Sequence, residues 1–261
     1  MNHFFKHILS RNRPCIFVSP HLDDAILSCG NAIISLKDHV HVSVVTIFTE
    51  SGECPESLSA KEFLKQCGIS DSKKLFLERR REDEKVFRKL NVSWKHLGFS
   101  DALWRKRSTN GKLRSYLGSF LPELLHTYPT YRFHVSSGQI SKQDLSLMCL
   151  AENAIELFVQ GHNNAILFFP LGIGSHVDHV IAREIGARFS GDIVFYEDFP
   201  YCLTDSFSGH LLRQRGLIKV TYAENLKAKQ PFVAMYATQP LFSGEMPAVP
   251  EVYYVPDKLL I

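Results

Sequence analysis

Several absences narrow the field before any motif is read. The six cysteines, Cys15, Cys29, Cys54, Cys67, Cys149 and Cys202, form no C-x-x-C pair. That excludes a disulfide scaffold or a thiolate zinc module and fits a reducing compartment. No apolar run nears the roughly 20 residues of a membrane helix. Met1 to Pro14 breaks its apolar residues with His3, His7, Asn12 and Pro14, leaving no h-region for a secretory signal, so the chain is expected to be soluble and cytoplasmic. Neither a G-x-S-x-G elbow nor a Walker A loop is present, which leaves serine nucleophiles and nucleotide hydrolysis without support. Charge of one sign is scarce too: 30 Lys+Arg face 27 Asp+Glu, a formal net charge of +3. That balance argues against nucleic acid as a partner.

What is present is an ordinary globular composition, 45% hydrophobic and 22% charged, with 12 histidines as its one excess. A length of 261 residues suits one large domain or two small ones. Short β-branched and aromatic runs alternate with segments of helical period, the pattern of an α/β protein with a mainly parallel sheet flanked by helices. Strands are expected at Cys15–Ser19, His41–Phe48, Ala165–Phe169 and Ile193–Tyr196, with a weaker one at Trp94–Gly98. Helices are expected through Ile26–Leu36, as a charged surface helix over Arg79–Leu90, and through Val180–Phe189. Irregular stretches at 51–72, broken by a short helix, and at about 106–118 are long enough to act as lids or mobile segments. Signals of one type continue on both sides of them, so residues 1–261 read as a single domain with an irregular tail from about 231.

Two clusters carry chemistry. Ser19-Pro-His-Leu-Asp-Asp24 places an imidazole and two carboxylates just past an apolar strand, where α/β proteins build their sites. Adjacent carboxylates point apart, so one can bind a metal with His21 while the other stays free as a base; alternatively, Asp23 or Asp24 simply caps the next helix. The second cluster follows another strand: Pro170-Leu-Gly-Ile-Gly-Ser-His-Val-Asp-His179, with His176 and His179 on one face of a first helical turn. In the common doubly wound strand order, the strands before His21 and His179 are neighbours and both clusters meet at one cleft. His21, Asp24 and His179 would then form a two-histidine, one-carboxylate set suited to catalytic zinc, or equally to non-haem iron.

These residues resemble a known family. Pro20-His-Leu-Asp-Asp24 resembles the Pro/Ala-His-Pro-Asp-Asp signature of the PIG-L/LmbE-like zinc-dependent N-acetylglucosaminyl deacetylases, and His176-Val-Asp-His179 their His-x-Asp-His signature. Arg79-x-x-Glu82, Leu97-Gly-Phe-Ser-Asp101 and Tyr196-Glu-Asp-Phe-Pro-Tyr201 resemble further segments of the family. Leu22 stands where a proline is usual, and Ala25 where many members carry an acid.

The resemblance implies a Rossmann-like three-layer α/β/α fold of the LmbE type. It also implies one Zn²⁺ per chain, with Fe²⁺ as the other candidate, held by His21, Asp24 and His179. Asp23 is then the general base. His176, as imidazolium or N–H donor, is the candidate for stabilising the oxyanion. Arg79 and Asp178 are assigned to substrate binding; for Asp178 the alternatives are orienting a histidine or sitting idle at a helix start. The implied partner is a small N-acetylated sugar or glycoconjugate, with a homo-oligomer left open. A metal-dependent amidase or esterase, and a silent carbohydrate binder, are the competing readings. Glu197 and Asp198 read as cleft-lining acids or caps, Trp104 and Tyr201 as sugar-stacking or core aromatics. The other nine histidines read as background.

Overall fold

The computed structural model describes residues 3–53, 55–107, 120–207, 209–239 and 246–260. Cys54, Pro240 and most of the 106–118 stretch lie outside them. The elements that frame the site begin with α1 (His3–Ser10), β1 (Cys15–Ser19), α2 (Asp24–Leu36) and β2 (Val42–Glu50). Then come α3 (Leu58–Gln66), α4 (Ser72–Leu90), β3 (Ser93–Ser100), α5 (Leu145–Val159), β4 (Ile166–Pro170), α6 (Val177–Arg188) and β5 (Asp192–Tyr196). The chain continues with α7 (His210–Gln214), β6 (Leu217–Tyr222), α8 (Gln230–Val233) and β7 (Glu251–Pro256).

The sheet order is β3-β2-β1-β4-β5-β7-β6, parallel from β3 to β5. Every residue of β1 and β4 is buried, as expected of central parallel strands covered on both faces. Alternation splits the core in two. Cys15 and Phe17 pack with α1 and α2, while Ile16 and Val18 face α5 and α6. Because β1 pairs with both β2 and β4, the chain reverses direction of travel across the sheet there, and Ser19 and Pro170 end side by side at the carboxyl edge.

Two expectations need correction. The tail after Pro231 is not irregular throughout: β7 runs antiparallel between β5 and β6, burying Glu251, Tyr253 and Val255. A charged residue at the first inward position hides its alternation. The helix expected at Arg79–Leu90 starts at Ser72, capped by Asp71, and it is not a purely solvated one. Its inner face buries Leu75, Phe76, Val86 and Phe87 together with Arg79 and Asp83. Near the start of the chain, Phe4, Phe5 and Ile8 bury the apolar side of α1.

Candidate active site

The turn after β1 sets the first cluster. Asp23 sits at φ 149°, a left-handed value rare outside glycine, and precedes α2 as its N-cap residue. Its side chain makes no capping bond; Ser19 Oγ accepts from Ala25 N at 3.0 Å instead. Capping therefore does not account for the Asp23 carboxyl, which lies 5% exposed in the cleft wall. Asp24 turns the other way. Its Oδ2 accepts from His21 N at 2.8 Å and lies 3.2 Å from His21 Nδ1 and 3.3 Å from His179 Nε2.

Each of those histidines has its far nitrogen on an acid. His21 Nε2 is 3.1 Å from Asp178 Oδ2 and 3.4 Å from Asp101 Oδ2, and His179 Nδ1 is 2.7 Å from Asp198 Oδ1. This is the arrangement that fixes a ligating imidazole: one nitrogen donates outward to a carboxylate, leaving the other lone pair facing inward. A tetrahedral ion with bonds of about 2.0–2.1 Å separates its ligand atoms by about 3.3 Å, close to the spacing of Asp24 Oδ2 from both rings. The nitrogen and oxygen donors are those zinc and ferrous iron accept, so the residues fit such an ion.

His176 lies beside them, its ligand nitrogen within 4.8 Å of those of His21 and His179. It is the N-cap of α6, and its Nδ1 accepts from Asp178 N at 3.3 Å. A ring that accepts at Nδ1 carries its proton on Nε2. Burial and the neighbouring positive charge of His21 hold its pKa well below the ordinary histidine range. His176 therefore presents its Nε2 to the cleft beside the nitrogens of His21 and His179.

The two adjacent aspartates diverge electrostatically. Burial, reinforced by the charge on Asp24, pushes Asp23 well above the usual carboxylate range against the pull of Arg79 and His21. Burial would raise Asp24 as well, but His179 and the hydrogen bonds from His21 outweigh it and hold Asp24 low.

Asp178, expected among the substrate contacts, is fully buried behind the cleft. Its carboxylate accepts from Ala102 N at 2.8 Å and from the Arg105 guanidinium besides facing His21, so it orients that ring and has no surface left for a ligand. Arg105 continues inward to Asp144 at 2.7 Å, and Asp144 accepts from Tyr128 OH at 2.6 Å. Arg79 does reach the cleft. It is 5% exposed, lies over Phe63, and donates from Nη2 to Gln239 Oε1 at 2.8 Å, while its buried Nε has no partner.

The floor of the cleft is this polar cluster. Phe63, Leu103, Trp104, Tyr131, Tyr201 and Gln239 complete its lining. Gln239 arrives on a strap held by one face of α4. Thr238 N and Oγ1 donate to Glu82 at 3.1 and 2.6 Å, and Tyr236 OH donates to Asp83 at 2.7 Å. Sequence reading missed Arg105, Asp144, Tyr131 and Gln239, which carry no motif. Asp198 was visible as a strand-end acid, though not as the partner of His179. Gly174, at φ 82°, is needed where a Cβ would come 2.4 Å from the Tyr201 ring.

The chain is similar to several known proteins. The family profile described as PIG-L, GlcNAc-PI de-N-acetylase, matches residues 16–190. A 2'-N-acetylparomamine deacetylase of Niallia circulans is 28% identical over 210 residues, covering 72% of this chain and 68% of that protein. The Streptomyces fradiae protein of the same name is 26% identical over 192 residues; the match spans 71% of this chain but only 57% of that relative's length. Among solved structures, a deacetylase–teicoplanin complex from teicoplanin biosynthesis superposes with a TM-score of 0.72 at 21% identity, covering 93% of this chain and 97% of the other. A zinc-inhibited form of teicoplanin deacetylase gives 0.69 at 20% identity, covering 92% and 97%. These likenesses establish the α/β fold. With the profile spanning both histidine–aspartate clusters, the chain belongs to the PIG-L family of GlcNAc-PI de-N-acetylases.

Proposed function

We propose that this protein is a zinc-dependent hydrolase that removes the N-acetyl group from an amino sugar or a glycoconjugate bearing one. The observation that carries the reading is the spacing of Asp24 Oδ2 from His21 Nδ1 and His179 Nε2, 3.2 and 3.3 Å, with the Asp23 carboxyl beside them and free of capping. Family membership supports it, as do relatives named for removing acetyl groups from paromamine. The aromatic lining from Phe63 and Tyr131 suits a sugar face, while Trp104, 1% exposed, packs in the core. The five described cysteines are free thiols, which supports a reducing compartment such as the cytoplasm; no helix among the described residues is long and apolar enough to cross a membrane.

His21, Asp24 and His179 would hold the ion. Bound there, zinc polarises the amide carbonyl and makes water acidic near neutral pH. Asp23 takes the proton as water attacks the acetamide carbon, and its raised proton affinity suits it to return that proton to the departing amine. His176 donates from Nε2 to the oxyanion. Asp178 and Asp198 keep the two ligand rings aimed. Arg79, in the cleft lining, offers its guanidinium to a substrate oxygen.

The deciding experiment incubates the protein with N-acetylated amino sugars, N-acetylglucosamine derivatives and acetylated aminoglycoside fragments among them. Release of acetate and free amine is measured before and after chelation. Chelator-sensitive release that zinc restores supports the proposal. Equal, chelator-insensitive rates, or none across the panel, would sink it.

A further inference from the structure

We propose a second metal site, remote from the cleft, in which His41 and His162 bind a borderline divalent transition ion such as zinc, nickel or copper. His41 precedes β2, whose first residue Val42 pairs with Cys15, so it stands at the opposite sheet edge from His21. His162 follows α5. Their Nε2 atoms are 3.1 Å apart and their ring centroids 4.9 Å.

An ion bonded to both nitrogens at about 2.0–2.1 Å, with the nitrogens 3.1 Å apart, places the ring centroids about 4.8 Å apart. A head-on N–H···N hydrogen bond of the same length would place them at about 5.4 Å, since each nitrogen lies about 1.15 Å from its ring centre. The observed 4.9 Å, with the ring planes 27° apart, accommodates an ion between the nitrogens in place of the bent hydrogen bond they make without one.

The donors are also prepared. His162 Nδ1 lies 3.1 Å from the carbonyl oxygen of Phe158, so that nitrogen carries the proton and Nε2 keeps its lone pair. Ser43 Oγ stands 2.8 Å from His41 Nε2 and can rotate its hydrogen away. On binding, the single proton of neutral His41 sits on Nδ1, so no proton is gained or lost overall. No third histidine, cysteine or carboxylate joins the pair among the described residues, so water completes the shell. Affinity should be highest for copper, following the usual order for nitrogen sites. A bound ion would tie the start of β2 to the end of α5.

The test titrates NiCl₂ into the full chain and into His162→Gln and His41→Gln, following stoichiometry by calorimetry and the thermal midpoint. Wild type should bind one equivalent more than either variant. At tenfold excess over the dissociation constant of that extra equivalent, its midpoint should rise by about 3 °C, a shift absent from both variants. Acetate release should be unchanged. Equal stoichiometry and equal midpoint shifts in all three proteins would overturn the proposal. If His162→Gln fails to fold, the exposed His41→Gln carries the comparison. The pair does not depend on the catalytic reading, because a chain inactive on every sugar still gains or loses this equivalent.

Discussion

The imidazole of His179 is gripped from both sides, with Asp198 Oδ1 2.7 Å from Nδ1 and Asp24 Oδ2 3.3 Å from Nε2. Asp198 also accepts from Ile173 N at 2.9 Å, which fixes the acid on the loop before α6. Replacing Asp198 by Asn should preserve the fold while loosening the ring, lowering metal affinity by about 10–100-fold. Competition against a graded chelator, with metal content read by atomic absorption, checks this. Unchanged retention would show that the ring is aimed by packing alone.

Asp23→Asn should leave metal bound and lower kcat by about 10²–10⁴-fold, the usual worth of a positioned proton acceptor. If the metal is lost as well, the roles of Asp23 and Asp24 have been exchanged.

The raised pKa of Asp23 also fixes the direction of pH dependence. The working base is the deprotonated form, so kcat/KM should fall as pH drops through a value above the ordinary carboxylate range. The limb should vanish from the residual activity of Asp23→Asn. Metal content measured in the same samples separates base protonation from acid release of the ion.

Arg79 and Gln239 face each other at 2.8 Å across the cleft wall. Arg79→Met removes a buried charged donor and should raise KM by roughly 10–100-fold, the equivalent of about 1.5–3 kcal/mol. Gln239→Leu leaves the guanidinium in place but unanchored and should raise KM several-fold with kcat nearly constant. Steady-state kinetics resolve both; a drop in kcat alone would move Gln239 from binding to the chemical step.

Far from the cleft, Lys229 Nζ and Glu251 Oε1 form a buried pair at 2.9 Å, and Glu251 also accepts from Asn31 N and Ala32 N within α2. Lys229→Met strands a buried carboxylate and should cost about 3–5 kcal/mol. Urea unfolding measures it, and a loss below 1 kcal/mol would mean that water reaches Glu251.

The parallel core was legible because β1 and β4 are unbroken apolar runs and α2 keeps its period, and the two signature turns could be placed at adjoining strand ends. What stayed hidden has physical reasons. β7 begins with an inward Glu251 whose partner, Lys229, is 22 residues earlier, so its pattern reads as polar. Arg79 looks like one member of a solvated basic run until the strap covers it. Asp178 looks like a cleft residue because its neighbours in sequence are; only Arg105, 73 residues away, reveals that it is spoken for. Spacing reports the atoms around a single turn, whereas the layer behind them is assembled from distant segments.

The position of β7 imposes a timetable on the molecule. It lies between β5 and β6 although it follows both in the chain, so during synthesis β6 emerges with its eventual neighbour still unmade. Gln239 and the strap likewise leave the ribosome after both signature turns. The two signature turns can therefore come together first, and the cleft wall closes over them only when the late segments dock.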